Sequence, residues 1–291
     1  MPFHSAILER LADRVERMSA LDRPADGLQR LTGLLPPGAV KDALSGTPVG
    51  HPLHPLAVTV PIGAFVSAAF LDATGGDPTA SRRLIGLGLT TALPSALTGL
   101  NDWNDVQGGE RRVGVVHAAC STAGLALLTS SWLARGSGGR GKVRALAGVA
   151  MIGASGWLGG HLTYAQGVGV DTTAFQRPPT EWTDACREDE LTGAPLAVTL
   201  ENMPVLLVRD VDGLHALADR CTHRGGPLSQ GVVRDGCVEC PWHQSRFDLT
   251  DGSVRRGPAS RPAATLEVRV ENGVVQVRRS EVRALRLNPT S

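Results

Sequence analysis

The chain has 291 residues, room for two ordinary domains, and its 29 Lys plus Arg are balanced by 28 Asp plus Glu. That balance excludes the concentrated basic surface that phosphate neutralisation demands, so nucleic acid is set aside as a partner. Five cysteines, three of them between Cys221 and Cys240, are too few and too uneven for a disulfide framework, and their clustering points to metal chemistry.

Residues 1–50 read as an N-terminal juxtamembrane region. They lack the basic start, apolar core and cleavage site of a signal peptide, and no twin-Arg pair occurs there. Ile7, Leu8, Leu11, Val15 and Met18 recur at helical spacing, the pattern of an amphipathic helix that lies on a membrane surface or packs on its own protein.

From 51 to 166 the character changes. Residues 55–71, 84–101, 113–134 and 145–170 carry no charged side chain and interrupt Leu, Val and Ile chiefly with Gly, Ala, Ser and Thr. A helix needs roughly 20 apolar residues to cross a hydrocarbon core, and small residues suit helices packed closely in lipid. The expectation is an all-α four-helix transmembrane bundle in contact with membrane lipid; a buried soluble bundle is the alternative. Pro61 and Pro94 fall inside the first two spans, where neighbouring helices can absorb a kink.

Residues 167–181 form a linker that includes Arg177-Pro178-Pro179-Thr180, and residues 182–280 form an all-β domain followed by a tail, 281–291. Short runs of Val, Leu and Thr are punctuated there by Asp212-Gly213, Asp235-Gly236, Asp251-Gly252 and Asn272-Gly273, pairs that accept positive φ and predict hairpins.

Into this domain fall Cys221-Thr222-His223-Arg224-Gly225-Gly226-Pro227-Leu228 and Cys240-Pro241-Trp242-His243-Gln244-Ser245-Arg246-Phe247. Each stretch offers one thiolate and one imidazole. Two such loops facing each other can hold a pair of irons, with two Cys on one and two His on the other; a structural zinc site has the same ligand count. The C-x-H spacing is tighter than a zinc knuckle, and Gly225, Gly226, Pro227, Pro241 and Trp242 suit loops whose N–H groups approach sulfide while apolar groups exclude water.

These residues resemble the Rieske family pattern C-T-H-x-G-x-x-L and C-P-x-H-x-S-x-F. The resemblance implies a [2Fe–2S] cluster on Cys221, His223, Cys240 and His243. It implies that Ser245 donates a hydrogen bond to the cluster, that Phe247 stands where high-potential members place a tyrosine, and that Pro258 belongs to a covering proline loop. Trp242 and Gly226 replace the cysteines of those members' loop disulfide, so the site looks more like a bacterial Rieske ferredoxin, with a lower expected potential. Cys237, in a strand pattern, is expected to be buried and inert.

His51, His54, His117 and His161 are expected at one face of the bundle with Asp102 and Asp105, as candidates for haem b, a metal or quinone, or for purely structural roles. His51-Pro52-Leu53-His54-Pro55-Leu56 and Gly99-Leu100-Asn101-Asp102-Trp103 resemble a bacterial membrane-domain family of unknown function, which implies no activity.

Positive-inside counting sets Arg82, Arg83, Arg135, Arg140, Lys142 and Arg144 against Lys41, Arg111, Arg112 and Arg177 and favours an external β domain. The missing export signal favours the cytoplasmic side of a bacterial inner membrane, and that is the expectation taken. The functional expectation is a membrane-anchored carrier of single electrons between a soluble reductant and a membrane redox partner protein. The alternatives are a self-contained quinone or haem-linked oxidoreductase and a redox sensor. A complete Rieske oxygenase is not expected, because no second iron site has room here.

Overall fold

The protein, described by a computed structural model over residues 5–138 and 140–280, divides into two units. One comprises Met1–Pro36 with Pro52–Val168, the other Pro37–His51 with Gly169–Ser291. The expected tail at 281–291 lies outside the described residues.

The helices are α1 (Ser5–Glu16), α2 (Asp22–Thr32), α3 (Ala39–Ser45), α4 (His54–Ala57), α5 (Thr59–Thr74), α6 (Pro78–Trp103), α7 (Gly108–Gly136) and α8 (Lys142–Tyr164). All but α3 lie in the first unit. α1 packs on α7 with Ala12 buried, while Ile7, Leu8, Leu11 and Met18 stay about half exposed. The apolar stripe of α1 is therefore left at the surface.

Among the described residues four helical segments are long and apolar enough to cross a membrane: His54–Thr74, Pro78–Trp103, Gly108–Gly136 and Lys142–Tyr164. Only 17–33% of each apolar window is buried inside the protein. Phe70, Leu93, Leu133 and Leu146 point outward, whereas Ser81, Ser95, Thr98, Ser131 and Ser155 are buried. A soluble bundle would invert that distribution. Small interior residues bring helices close, as where Phe65 lies against Gly88 and Leu128 against Gly148.

Pro61 removes the N–H that would bond the Ala57 carbonyl, and the helix breaks at Val58, between α4 and α5. The Ser95 hydroxyl of α6 donates to that carbonyl instead, at 2.8 Å. A neighbouring helix thus satisfies the group that proline left over.

Among the described residues the second unit contains ten strands: β1 (Thr183–Arg187), β2 (Leu196–Leu200), β3 (Met203–Asp210), β4 (Gly213–Ala218), β5 (Val232–Arg234), β6 (Cys237–Glu239), β7 (Arg246–Asp248), β8 (Val254–Arg256), β9 (Thr265–Glu271) and β10 (Val274–Arg279). They form antiparallel sheets ordered β1-β10-β9-β4-β3-β2 and β5-β6-β7-β8. The continuous apolar run of β3 is explained by burial on both faces: Leu206 and Val208 enter one core, Val205 and Leu207 the other. At the β9–β10 turn Asn272 and Gly273 both adopt positive φ, 51° and 75°, and Asp235 and Gly236 do the same between β5 and β6.

Candidate metal centre

Cys221 begins a loop after β4 and Cys240 a loop after β6, and the two loops are built alike. The Cys221 N–H donates to the Gly226 carbonyl at 2.8 Å and the Gly225 N–H to the Cys221 carbonyl at 2.8 Å. In the second loop Cys240 N–H donates to the Ser245 carbonyl at 2.8 Å and Gln244 N–H to the Cys240 carbonyl at 3.0 Å. Four residues after each cysteine the chain turns through positive φ, at Gly225 (76°) and Gln244 (63°). Each turn keeps its cysteine at the base of the loop and carries its histidine outward.

Both cysteines are 2% exposed and unpaired by disulfide. Their thiols lie within hydrogen-bond reach of each other, so one ionises with the other as donor: Cys240 is held down to about 7 and Cys221 is pushed well above the ordinary thiol value. Backbone N–H groups of His223 and Arg224 bond the Cys221 sulfur, and those of Trp242 and His243 bond Cys240. The His223 and His243 rings stand edge to face with centroids 5.0 Å apart. Burial, reinforced by the charges of His243, Arg224 and Lys41, pushes His223 down to about 3, which keeps it in the neutral form a ligand requires.

The sulfurs form one pair and the imidazoles another. Among the described residues no three His, Cys, Asp or Glu side chains converge on one point. Two such donor pairs suit two bridged irons. A Cβ on Gly226 would come within 2.9 Å of the Cys240 sulfur and 3.0 Å of the Trp242 ring, so the loops approach at a distance only glycine permits.

Ser245 is fully buried, and its oxygen accepts from Ala259 N–H at 3.0 Å. That bond leaves the hydroxyl proton available for another acceptor. Phe247, opposite Val238, is fully buried in the core beneath the loops. Pro258 and Ala259 are buried as well. Trp242 differs from expectation: it is 55% exposed beside His243, and water is excluded by Leu228, Phe247 and Ala259 instead. Cys237 is buried, and burial raises its thiol.

Sequence reasoning missed the segment Pro37–His51, which folds with the β unit. Asp42 accepts from Gly257 N–H at 2.9 Å, and the Thr47 hydroxyl donates to the Ala259 carbonyl at 3.1 Å, so both brace the proline loop. Lys41 is buried near enough to act on His223. The two hydrogen-bonded pairs lie more than 200 positions apart in sequence, and no local pattern announces them.

The bundle histidines have different surroundings. His51 is exposed in a bend of the β unit. In the helical unit His54 Nδ1 meets the Ser95 carbonyl at 2.9 Å and His117 Nδ1 the Ser155 carbonyl at 2.8 Å. His161 Nε2 meets Glu16 at 3.2 Å, and its ring stacks on Trp157.

Residues 181–272 match the family described as Rieske [2Fe-2S] domain, and residues 50–172 the family described as Predicted membrane protein (DUF2231). The anthranilate 1,2-dioxygenase ferredoxin subunit of Burkholderia cepacia is 37% identical over 98 residues, covering 33% of this chain and 91% of that relative. The ferredoxin component of the Pseudomonas putida naphthalene 1,2-dioxygenase system is 32% identical over 93 residues, 32% of this chain and 89% of the relative. The oxygenase component of dicamba O-demethylase from Stenotrophomonas maltophilia is 40% identical over 86 residues, 28% of this chain, but only 25% of that protein is covered.

Proposed function

We propose, from the premise that this chain belongs to the Rieske [2Fe–2S] domain family, that it is a membrane-anchored carrier of single electrons between a soluble reductant and a membrane redox partner. The observation that carries this reading is the pair of twin loops, which bring two buried thiols together and two imidazoles together. Cys221 and Cys240 would hold one iron, and His223 and His243 the other. A bound cluster would supply a one-electron couple.

The residues of the chain do the rest. Loop N–H groups of His223, Arg224, Trp242 and His243 stabilise negative charge on the two sulfurs. Ser245, its oxygen fixed by Ala259 N–H, would have its hydroxyl proton free for a bound cluster, while Phe247 adds bulk and no donor. Leu228, Phe247 and Ala259 exclude water. His243 stands beside the exposed Trp242, which makes that rim the natural exit for an electron.

Both ferredoxin relatives belong by name to dioxygenase systems, which supports a protein redox partner for this chain. Four apolar helices support a multi-pass place in a bacterial cell membrane, with lipid against Phe70, Leu93 and Leu146. The β unit is assigned to the cytoplasmic side. Labelling of a cysteine introduced at Arg177 by an impermeant reagent in intact cells would reverse that assignment.

The central test is electron paramagnetic resonance of the detergent-purified full chain after dithionite reduction, with iron and sulfide assays. The expected result is a reduced [2Fe–2S] spectrum of mixed nitrogen and sulfur ligation, absent in Cys240→Ser. Stoichiometric zinc with no such spectrum overturns the reading.

A further inference from the structure

The helical unit is built from a repeat. One constant offset carries His54 to His117, Phe65 to Leu128 and Ala68 to Ser131; a second carries Gly88 to Gly148, Ser95 to Ser155 and Gly99 to Gly159. The contacts repeat with the residues. Phe65 rests on Gly88 as Leu128 rests on Gly148, and His54 bonds the Ser95 carbonyl as His117 bonds that of Ser155. The hairpins α4/α5–α6 and α7–α8 join through α6 on α7 and α5 on α8, the exchange a twofold axis along the bundle produces.

Equivalent residues that reach each other must flank that axis. Asp72 and Arg135, related by the first offset, do so as a buried ion pair at one end. Helix direction puts His54 and His117, related by the same offset, toward the other end.

The two imidazoles are prepared in the same way. A carbonyl oxygen only accepts, so Nδ1 of each ring carries the proton and the lone pair of the neutral ring lies on Nε2. Among the described residues no hydrogen bond engages either Nε2. Each ring is seated on a glycine: a Cβ on Gly99 would come within 2.7 Å of His54 Cε1, and one on Gly159 within 3.3 Å of His117 Cε1. A backbone carbonyl that holds Nδ1–H is the outer-shell bond of a metal-ligating histidine.

We propose that His54 and His117 are the two axial ligands of an iron porphyrin seated on the pseudo-twofold axis of the helical unit. One imidazole from each repeat matches an iron whose four equatorial positions the macrocycle already fills. A bare ion would need further protein ligands, and among the described residues no third His, Cys, Asp or Glu joins the pair. His161 is not part of the site, because its Nε2 is engaged by Glu16 and its ring by Trp157. This inference does not depend on the electron-carrier reading.

The test is to titrate haemin into the detergent-purified full chain and to record optical and low-temperature electron paramagnetic resonance spectra. The expected result is saturation at about one haem per chain with a low-spin, bis-imidazole signal. That signal is lost in His54→Gln and in His117→Gln and kept in His51→Gln and His161→Gln. The spectrum of the Rieske cluster, read on the same samples, must survive in every variant, which separates failure of this site from failure of the β unit. For a variant that does not fold, His54→Gly supplemented with free imidazole recovers the low-spin signal. Absence of stoichiometric haem, haem that stays low-spin in both glutamine variants, or tight binding of a quinone in place of haem overturns the proposal.

Discussion

The two units distribute their residues in opposite senses. The β unit buries large apolar groups, Leu206, Leu217, Leu228 and Phe247 among them, and presents charged pairs such as Arg187–Asp189 and Arg269–Glu271 outward. The helical unit buries Ser81, Ser95, Ser131 and Ser155 with the Asp72–Arg135 pair and exposes Phe70, Leu93 and Leu146. In water the apolar side chain gains most from leaving the solvent, whereas in hydrocarbon it gains nothing and close packing of small and hydrogen-bonded residues takes over. The difference is the one expected between a unit folded in water and one packed in hydrocarbon.

The hardest blow to the helical unit is to break its buried pair. Asp72→Ala leaves Arg135 uncompensated and is expected to cost about 3–5 kcal/mol, read as thermal or denaturant stability in detergent; a loss under about 1 kcal/mol would mean that water reaches the pair. A matched set of leucines then tests the inversion directly. Leu206→Ala in the β unit should cost about 2–5 kcal/mol, whereas Leu93→Ala, 66% exposed, should leave detergent stability nearly unchanged. Equal losses would end the contrast.

A pH series on cluster-free chain sharpens the β unit alone. Burial holds His223 at about 3 against an ordinary 6.5, so the unfolded chain binds the extra proton. Its contribution to stability is therefore full above about 6.5 and is lost as pH falls toward 3. The denaturation midpoint, followed by Trp242 fluorescence, should drop between pH 7 and 5, and the drop should shrink in His223→Gln. The smallest effect concerns the segment that crosses from the N-terminal part into the β unit. Asp42→Ala removes the acceptor for Gly257 N–H and should cost about 0.5–1.5 kcal/mol, together with faster loss of the cluster on dilution into chelator. An unchanged loss rate would show that the brace does not restrain the proline loop.

Much of this was legible in residues close together along the chain. Charge-free runs mark the four apolar helices, because hydrocarbon tolerates no unpaired charge. Asn272-Gly273 and Asp235-Gly236 announce their turns, because those residues accept positive φ. Cys221, His223, Cys240 and His243 stand out because each half of the site is a single short loop whose spacing carries its chemistry.

What sequence could not show depends on partners far apart or without a residue signature. Any residue can supply the carbonyls of Ser95 and Ser155 that orient His54 and His117, so no pattern marks them. The same holds for the Gly257 N–H that meets Asp42. Trp242 reads as a shield and stands exposed, because Leu228, Phe247 and Ala259 already fill the space beneath the loops. Local spacing and composition determined the elements and singled out the candidate ligands, since those follow from covalent geometry and transfer free energy. Only the tertiary structure decided which backbone groups hold the histidines and which distant segment braces the cluster loop, because such contacts exist only once the chain has closed on itself.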